Sequence, residues 1–330
     1  MEYKLHTSAW ILLFLMFLGC RKESTPPEIQ FSSPFSGAKF LKGEVVGISL
    51  ESKNTPVEIH EIQIYINDVL MHSFEKFPVD YQWDTSASAT GKHVVKAIVV
   101  DSHQNVQELN LPVEISATFK DLRDNHQYKT IHIGNRIWMA ENLAYLPEVS
   151  LPTSGSNTTP HYYVNGYRGA SIVEARKTAS FTQYGVLYNW PAASDACPDG
   201  WHLPTDDEWK ELELALGMTS SEINKKGPRG NGLGMALKST SGWVINGNNL
   251  SGFTALPAGY CYINAQEGES DPITIFGVNL GVWWSETSAA NESAWYRAVY
   301  DTEQGIVRSM EKRINGLSVR CVKGESVHPS

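Results

Sequence analysis

The chain has 330 residues, with 27 Lys and Arg against 36 Asp and Glu, for a formal net charge of −9. It offers no basic stripe to neutralise phosphates, which argues against a nucleic-acid partner, and anionic headgroups repel it. The length exceeds one ordinary domain, and eight of the ten tryptophans lie beyond residue 130, so two units with different cores are expected.

The N-terminus carries a charged start at Lys4, an apolar run from Ala9 to Leu18, and then Gly19-Cys20 followed by polar Arg21-Lys22-Glu23-Ser24. An apolar run of about 10 residues is too short to cross a hydrocarbon core of roughly 30 Å. The segment Leu15-Met16-Phe17-Leu18-Gly19-Cys20 resembles a bacterial lipoprotein signal, which is removed rather than folded. The resemblance implies a signal peptide over 1–19 and Cys20 as the lipidated first residue of the mature protein. A plain secretory signal is the alternative. Cleavage removes Glu2 together with Lys4, so the net charge stays at −9. Attachment to the membrane then rests on acyl chains such as palmitate, each buried methylene contributing about 0.8 kcal/mol. Arg21 after the cysteine, by resemblance to enteric sorting, favours the outer membrane, on its periplasmic or surface face. Residues 20–28, polar and with two prolines, read as a tether.

Period-2 patterns follow. Ile62, Ile64 and Ile66 alternate with Gln63 and Tyr65, Asn67-Asp68 turns the chain, and strands are expected from His93 to Val100 and from Glu108 to Ile115. Short strands, polar turns and no helical period predict a β-sandwich over 29–117. Ser33-Pro34, Tyr65-Ile66-Asn67-Asp68, Tyr81-Gln82-Trp83-Asp84, Gly91-Lys92-His93 and Ala97 to Asp101 occur in the order seen in bacterial immunoglobulin-like domains, which the segment resembles. That family usually acts as a spacer or adhesion module. Asp84 and Asp101 can be paired as calcium ligands, but strand-ending aspartates more often serve turns.

From Phe119 the texture changes. Strands are expected over 128–133 and 136–139 around Gly134-Asn135. Thr205 and Glu208 have capping-box spacing, the acids Asp206 and Asp207 suit the first turn of a helix, Trp209, Leu212 and Leu216 form its apolar face, and Gly217 ends it. This account outweighs catalysis by the carboxylate cluster. His202 reads as a packed strand residue, and Ser251 and Ser285 lack nucleophile-elbow spacing. Lys225 to Gly252 is rich in Gly, Asn and Ser and reads as a long loop without the Gly-Lys-Ser/Thr ending of a phosphate cradle. No Cys/His spacing fits zinc. The three remaining cysteines, Cys197, Cys261 and Cys321, allow one bridge and one free thiol.

The ordered set Ala140-Glu141-Asn142-Leu143, Tyr184 to Trp190, Cys197-Pro198-Asp199-Gly200-Trp201-His202-Leu203-Pro204, Gly252-Phe253-Thr254-Ala255, Trp283-Trp284-Ser285 and Val319-Arg320-Cys321 resembles the Fibrobacter succinogenes major paralogous domain, over about 119–323. That family is in turn similar to the C-type-lectin-like fold. The resemblance implies a Cys197–Cys321 disulfide, leaving Cys261 as a buried small hydrophobe, and a ligand region in the long loop. The Glu-Pro-Asn, Gln-Pro-Asp and Trp-Asn-Asp tripeptides of calcium-dependent lectins do not occur.

The expected fold is therefore multidomain: signal peptide 1–19, tether 20–28, an all-β immunoglobulin-like sandwich 29–117, an α+β C-type-lectin-like domain 118–324, and a tail 325–330. The expected function is non-enzymatic: a lipid-anchored envelope protein whose head binds a glycan or an envelope protein, with no cofactor, no catalytic residue and no metal site. Trp243, Glu269, Asp271, Trp284 and Tyr296 are the candidate ligand residues. A structural component of the cell surface is the alternative. An enzyme related to formylglycine-generating oxidases is a further one, which needs a reactive cysteine pair or a copper thiolate site.

Overall fold

The structure, a computed structural model, describes residues 28–53, 58–264 and 273–324. The signal segment, Cys20, nearly all of the tether, Glu269, Asp271 and the tail lie outside the described residues.

The first unit is built from β1 (Ile29–Ser33), β2 (Lys39–Leu41), β3 (Val45–Ser52), β4 (Ile59–Ile66), β5 (Val69–Phe74), β6 (Val79–Asp84), β7 (Gly91–Asp101) and β8 (Val106–Ser116). They form two sheets, β1-β3-β6 and β2-β8-β7-β4-β5. Alternation places Ile48, Ile62, Ile64, Val95, Ala97 and Val99 fully inside, and Trp83 joins them. Each such aliphatic side chain stabilises the fold by about 1.5–3 kcal/mol on burial. Asn67 and Asp68 both take positive φ, 47° and 65°, as a two-residue hairpin between Ile66 and Val69 requires. Asp101 accepts hydrogen bonds from the backbone N–H groups of His103 and Asn105 and from Asn105 Nδ2. Asp84 is exposed and accepts one from Ser86 N. Both aspartates therefore serve turns.

The second unit contains β9 (Thr118–Lys120), β10 (Gln127–Ile133), β11 (Arg136–Met139), β12 (Tyr162–Tyr163), α1 (Ile172–Lys177), α2 (Ala179–Tyr184), β13 (Leu187–Tyr188), α3 (Trp190–Ser194), β14 (Trp201–His202) and α4 (Asp206–Ala215). It continues with β15 (Gly227–Arg229), α5 (Leu233–Leu237), β16 (Tyr260–Asn264), β17 (Ile273–Gly277), β18 (Leu280–Ala289), β19 (Ser293–Tyr300), β20 (Ile306–Lys312), β21 (Leu317–Ser318) and β22 (Val322–Lys323). A seven-stranded sheet in the order β12-β13-β21-β18-β19-β20-β15 organises it, beside the sheet β14-β22-β11-β10-β9 and the hairpin β16-β17. Strand outweighs helix, 43% to 11%, so the chain is mostly β, and every helix among the described residues belongs to this unit.

The capping box of α4 forms as its sequence requires, with Thr205 accepting from Glu208 N and Glu208 accepting from Thr205 N. Cys197 and Cys321 are bonded across 124 residues, with Cα atoms 5.8 Å apart. Closing a loop of that length stabilises by about 4–5 kcal/mol on loop-closure grounds. The stretch 225–252, expected to be loop, instead includes β15 and α5. Gly234 allows this, because a side chain there would run into the Gln304 and Gly305 carbonyls. Gly247, Asn248 and Ser251 then donate their N–H groups to Ser239, Met235 and Ala236.

Residues of the ordered motifs close a buried network. Asn142 Oδ1 accepts from Trp283 Nε1 at 2.9 Å and from Arg320 Nε at 3.0 Å. Arg320 is wholly buried, stacks 4.1 Å over Phe253, and donates to the Phe253 and Thr254 carbonyls. Burial lowers its guanidinium to about 9. Leu41, from the end of β2, packs with the core of the second unit, and Glu44 pairs with Lys323.

Candidate functional site

Strand β19 divides its side chains by period 2. Ala294, Tyr296, Ala298 and Tyr300 face one side of the seven-stranded sheet, and Trp295, Arg297 and Val299 face the other. The register carries this across the neighbours, with Leu280 opposite Tyr300, Trp284 opposite Tyr296, and Glu311 opposite Ala294.

On the first face lies a cavity of about 530 Å³ lined by Tyr260, Tyr296, Tyr300, Asp301 and Glu311 among others, with exposed Val244 and Val278 at its rim. Tyr260 arrives from β16, which pairs it with Gly277. A methyl group on Gly277 would overlap the Tyr260 ring, so glycine is what lets the ring lie over the hairpin. Gly259, at φ 71°, is held equally close, its Cα facing the Gly277 carbonyl and the Asn165 amide. That amide donates to the carbonyls of Ala258 and Gly277 at 2.7 and 3.0 Å and fixes the hairpin to the sheet.

Burial pushes the Tyr296 phenol well above its ordinary value, and Tyr300 and Glu311 add to the effect. Tyr260 is raised by burial and then by Glu311. Both rings are therefore neutral at physiological pH, and both feel the Glu311 carboxylate. Glu311 Oε1 accepts from Lys312 N at 2.8 Å and Asn315 Nδ2 at 3.0 Å, while Oε2 accepts no hydrogen bond among the described residues. Asp301 accepts from Val244 N at 2.5 Å. No lysine, arginine or histidine lines the cavity among the described residues. Three phenol rings, an apolar rim and a carboxylate without an ion pair among the described residues suit reversible binding of a small group.

The opposite face carries α4 and a saturated ion network. Asp206 meets Arg297 Nη1 at 2.8 Å, Arg308 Nη2 at 2.7 Å and Lys210 Nζ at 3.0 Å. Glu213 meets Arg297 Nε at 2.6 Å and Arg229 Nη2 at 2.5 Å. Burial works against the Asp206 charge, but Arg308 and Arg297 hold it well below the ordinary carboxylate range. Asp206 is thus more than the first-turn charge its position in α4 suggested. At the start of the same helix Glu208 receives His202 Nε2 and Arg136 Nη1, each at 2.8 Å. His202 Nδ1 lies 2.9 Å from the Gly324 carbonyl. Burial opposes the imidazolium, but Glu208 and that carbonyl outweigh it and raise the group.

Of the sequence-derived ligand residues that the structure describes, Tyr296 alone lines the cavity. Trp284 is fully buried and donates Nε1 to the Tyr188 carbonyl at 2.7 Å. Trp243 is buried too, with Nε1 shared between Ser239 Oγ and the Ala255 carbonyl. Neither offers a ring face to a ligand, because β18 is an interior strand covered on both sides and the segment around Trp243 folds back on α5. Trp283 is buried for the same reason. Glu269 and Asp271 lie outside the described residues. Tyr260, Tyr300 and Glu311 were missed. The spacing of Tyr296 and Tyr300, four apart on one strand and so on one face, was the available signal. Among the described residues no three metal-ligating side chains cluster.

The arrangement defines a two-unit, mostly β protein with an immunoglobulin-like first unit and a loop-rich second one. Residues 131–323 match the Fibrobacter succinogenes major domain, more than half of the chain, and the chain belongs to that family. Residues 27–97 match a bacterial Ig domain. No curated protein matches. Among solved structures, the fibronectin(III)-like modules of Clostridium thermocellum CbhA are 24% identical, covering 26% of this chain and 93% of theirs, with a TM-score of 0.24. An endo-beta-1,4-mannanase from Thermotoga petrophila is 9% identical, covering 29% of this chain and 21% of its own, with a TM-score of 0.24. A calcium-binding mutant of Bacteroides uniformis beta-glucuronidase 2 is 9% identical, covering 93% of this chain and 31% of its own, with a TM-score of 0.27. At these scores the likenesses carry no argument. The chain spans nearly all of the first of them and less than a third of the other two.

Proposed function

We propose that this is a non-enzymatic, lipid-anchored protein of the cell envelope whose lectin-like head binds a glycan or an envelope protein. The observation that carries the reading is the cavity with Tyr260, Tyr296 and Tyr300 on its walls. Aromatic rings offer flat apolar faces to sugar rings and to protein side chains alike. Cys261 supports a binding role over thiol chemistry. It is the free cysteine among the described residues, it is buried, and burial pushes its thiol up to about 12, which leaves almost no thiolate at neutral pH. The anchor rests on the apolar run ending at Gly19-Cys20. The polar tether and the immunoglobulin-like unit then act as a spacer between membrane and head.

Two experiments test this. The full chain is screened on a glycan array and used to capture proteins from envelope extract, beside a Tyr300→Ala variant. Capture that falls at least tenfold in the variant is expected, and capture indifferent to Tyr300 would remove the cavity from the reading. Cys20→Ser should move the protein from the membrane to the soluble fraction. Retention in the membrane would contradict lipid anchoring.

A further inference from the structure

Resting on the reading of the cavity as the ligand site, we propose that the group it holds is the protonated amine of an amino saccharide. The charge of the site points there first. The buried carboxylates of the second unit are met by cations: Asp121 by Arg123, Asp206 by Arg297 and Arg308, Glu208 by Arg136, and Glu213 by Arg229 and Arg297. Asp301, inside the cavity, is bonded to Val244 N and has Lys238 nearby. Glu311, on the cavity wall, differs from these. It is half-buried beside three phenol rings, it makes no ion pair among the described residues, and its Oε2 has no donor there. Lys312, next in the chain, leaves on the opposite face of β20 by period 2.

An ammonium group satisfies both halves of this wall. It donates to Glu311 as a charge-assisted hydrogen bond, and it is attracted to the negative faces of tyrosine rings. Size then separates two carriers of an amine. A cavity of about 530 Å³ is larger than one lysyl stem fills and falls in the range of small-ligand sites, about 300–1,000 Å³. Pyranose rings can use the remaining space by laying their C–H faces on Tyr260 or Tyr300. Val244 and Val278 add apolar surface at the rim for the same contact.

The test is a calorimetric titration of the full chain with glucosamine trimer and with its fully N-acetylated counterpart, at a pH where the amines are protonated. The glucosamine trimer is expected to bind at least tenfold more tightly, and the preference should fade as the pH is raised until the amines lose their charge. Glu311→Gln should abolish the preference, and Glu311→Asp, which keeps the charge, should retain part of it. Thermal melts of both variants confirm that they fold. Equal binding of the two trimers overturns the amine assignment while leaving the cavity as a ligand site. Binding of either trimer that survives both Tyr300→Ala and Glu311→Gln overturns the cavity as well. A lysine-rich peptide that binds more tightly than the glucosamine trimer overturns the saccharide assignment.

Discussion

The two faces of the seven-stranded sheet treat carboxylates in opposite ways. Behind it, Asp206 and Glu213 are enclosed by Arg229, Arg297 and Arg308, and Trp295 lies 3.6 Å under the Arg308 guanidinium. In front of it, Glu311 stands among tyrosines and makes no ion pair among the described residues. Both faces come from the same strands and the same alternation, so the difference lies in what each side chain was given to meet. A saturated carboxylate holds the fold together. An unsaturated one at the edge of a cavity is available to a ligand. The contrast separates framework from site more clearly than burial does, since Tyr296 is itself half-buried.

The comparison can be broken or sharpened by substitution. The largest effect is expected behind the sheet. Arg297→Met leaves Asp206 and Glu213 partly unpaired in the interior and should cost about 3–5 kcal/mol in denaturant unfolding. A loss below 1 kcal/mol would mean that the network is replaceable packing.

Next comes Gly277→Ala, on the hairpin that positions Tyr260. The added methyl meets the ring, so a cost of about 1–3 kcal/mol is expected from overpacking, together with weaker ligand capture. Unchanged capture would show that the Tyr260 position is not needed.

A smaller effect is expected from His202. Its folded pKa is raised, so the stability it contributes is fully present below the unfolded imidazole value, about 6.5, and is lost as pH rises through the folded value. Glu208 is lowered, burial opposing and His202 and Thr205 outweighing it. Its share is present above the unfolded carboxyl value, about 4.3, and is lost as pH falls through the folded one. The melting temperatures of wild type and His202→Gln should differ most between these limits and converge at alkaline pH. A gap that widens with rising pH would contradict the assignment.

The smallest effect on stability belongs to Glu311→Gln. With no ion pair to lose among the described residues, it should unfold within about 0.5 kcal/mol of wild type while changing ligand preference. A large destabilisation would place Glu311 in the framework.

Much of the framework was legible in the sequence, and most of the site was not. The isoleucine alternation of β4, the Asn67-Asp68 turn and the α4 capping box are local, so a few adjacent residues specify each. The Cys197–Cys321 bridge came from the resemblance of ordered motifs. Those motifs prove to be framework themselves, with Asn142, Phe253, Trp283 and Arg320 closing one buried network. The cavity is different. It joins Tyr260 on one hairpin to Tyr296, Tyr300 and Glu311 on two strands of the main sheet, and only the β18–β19–β20 register brings them to one face. Trp243 and Trp284 misled for a related reason. An aromatic side chain in sequence does not reveal whether its segment is interior, and both of theirs are covered. The stretch 225–252 read as loop because its glycines and asparagines are turn-formers, whereas Gly234 serves close packing of α5.

The most direct test of the cavity as the site is solution NMR of the full chain with labelled tyrosines, titrated with glucosamine trimer. The sequence has 14 tyrosines, and most of them lie away from the cavity. The account predicts that the resonances of Tyr260, Tyr296 and Tyr300 move together with one midpoint, while those of buried Tyr163 and Tyr188 stay in place. Shifts confined to other tyrosines, or no shift at the three cavity rings, would contradict it.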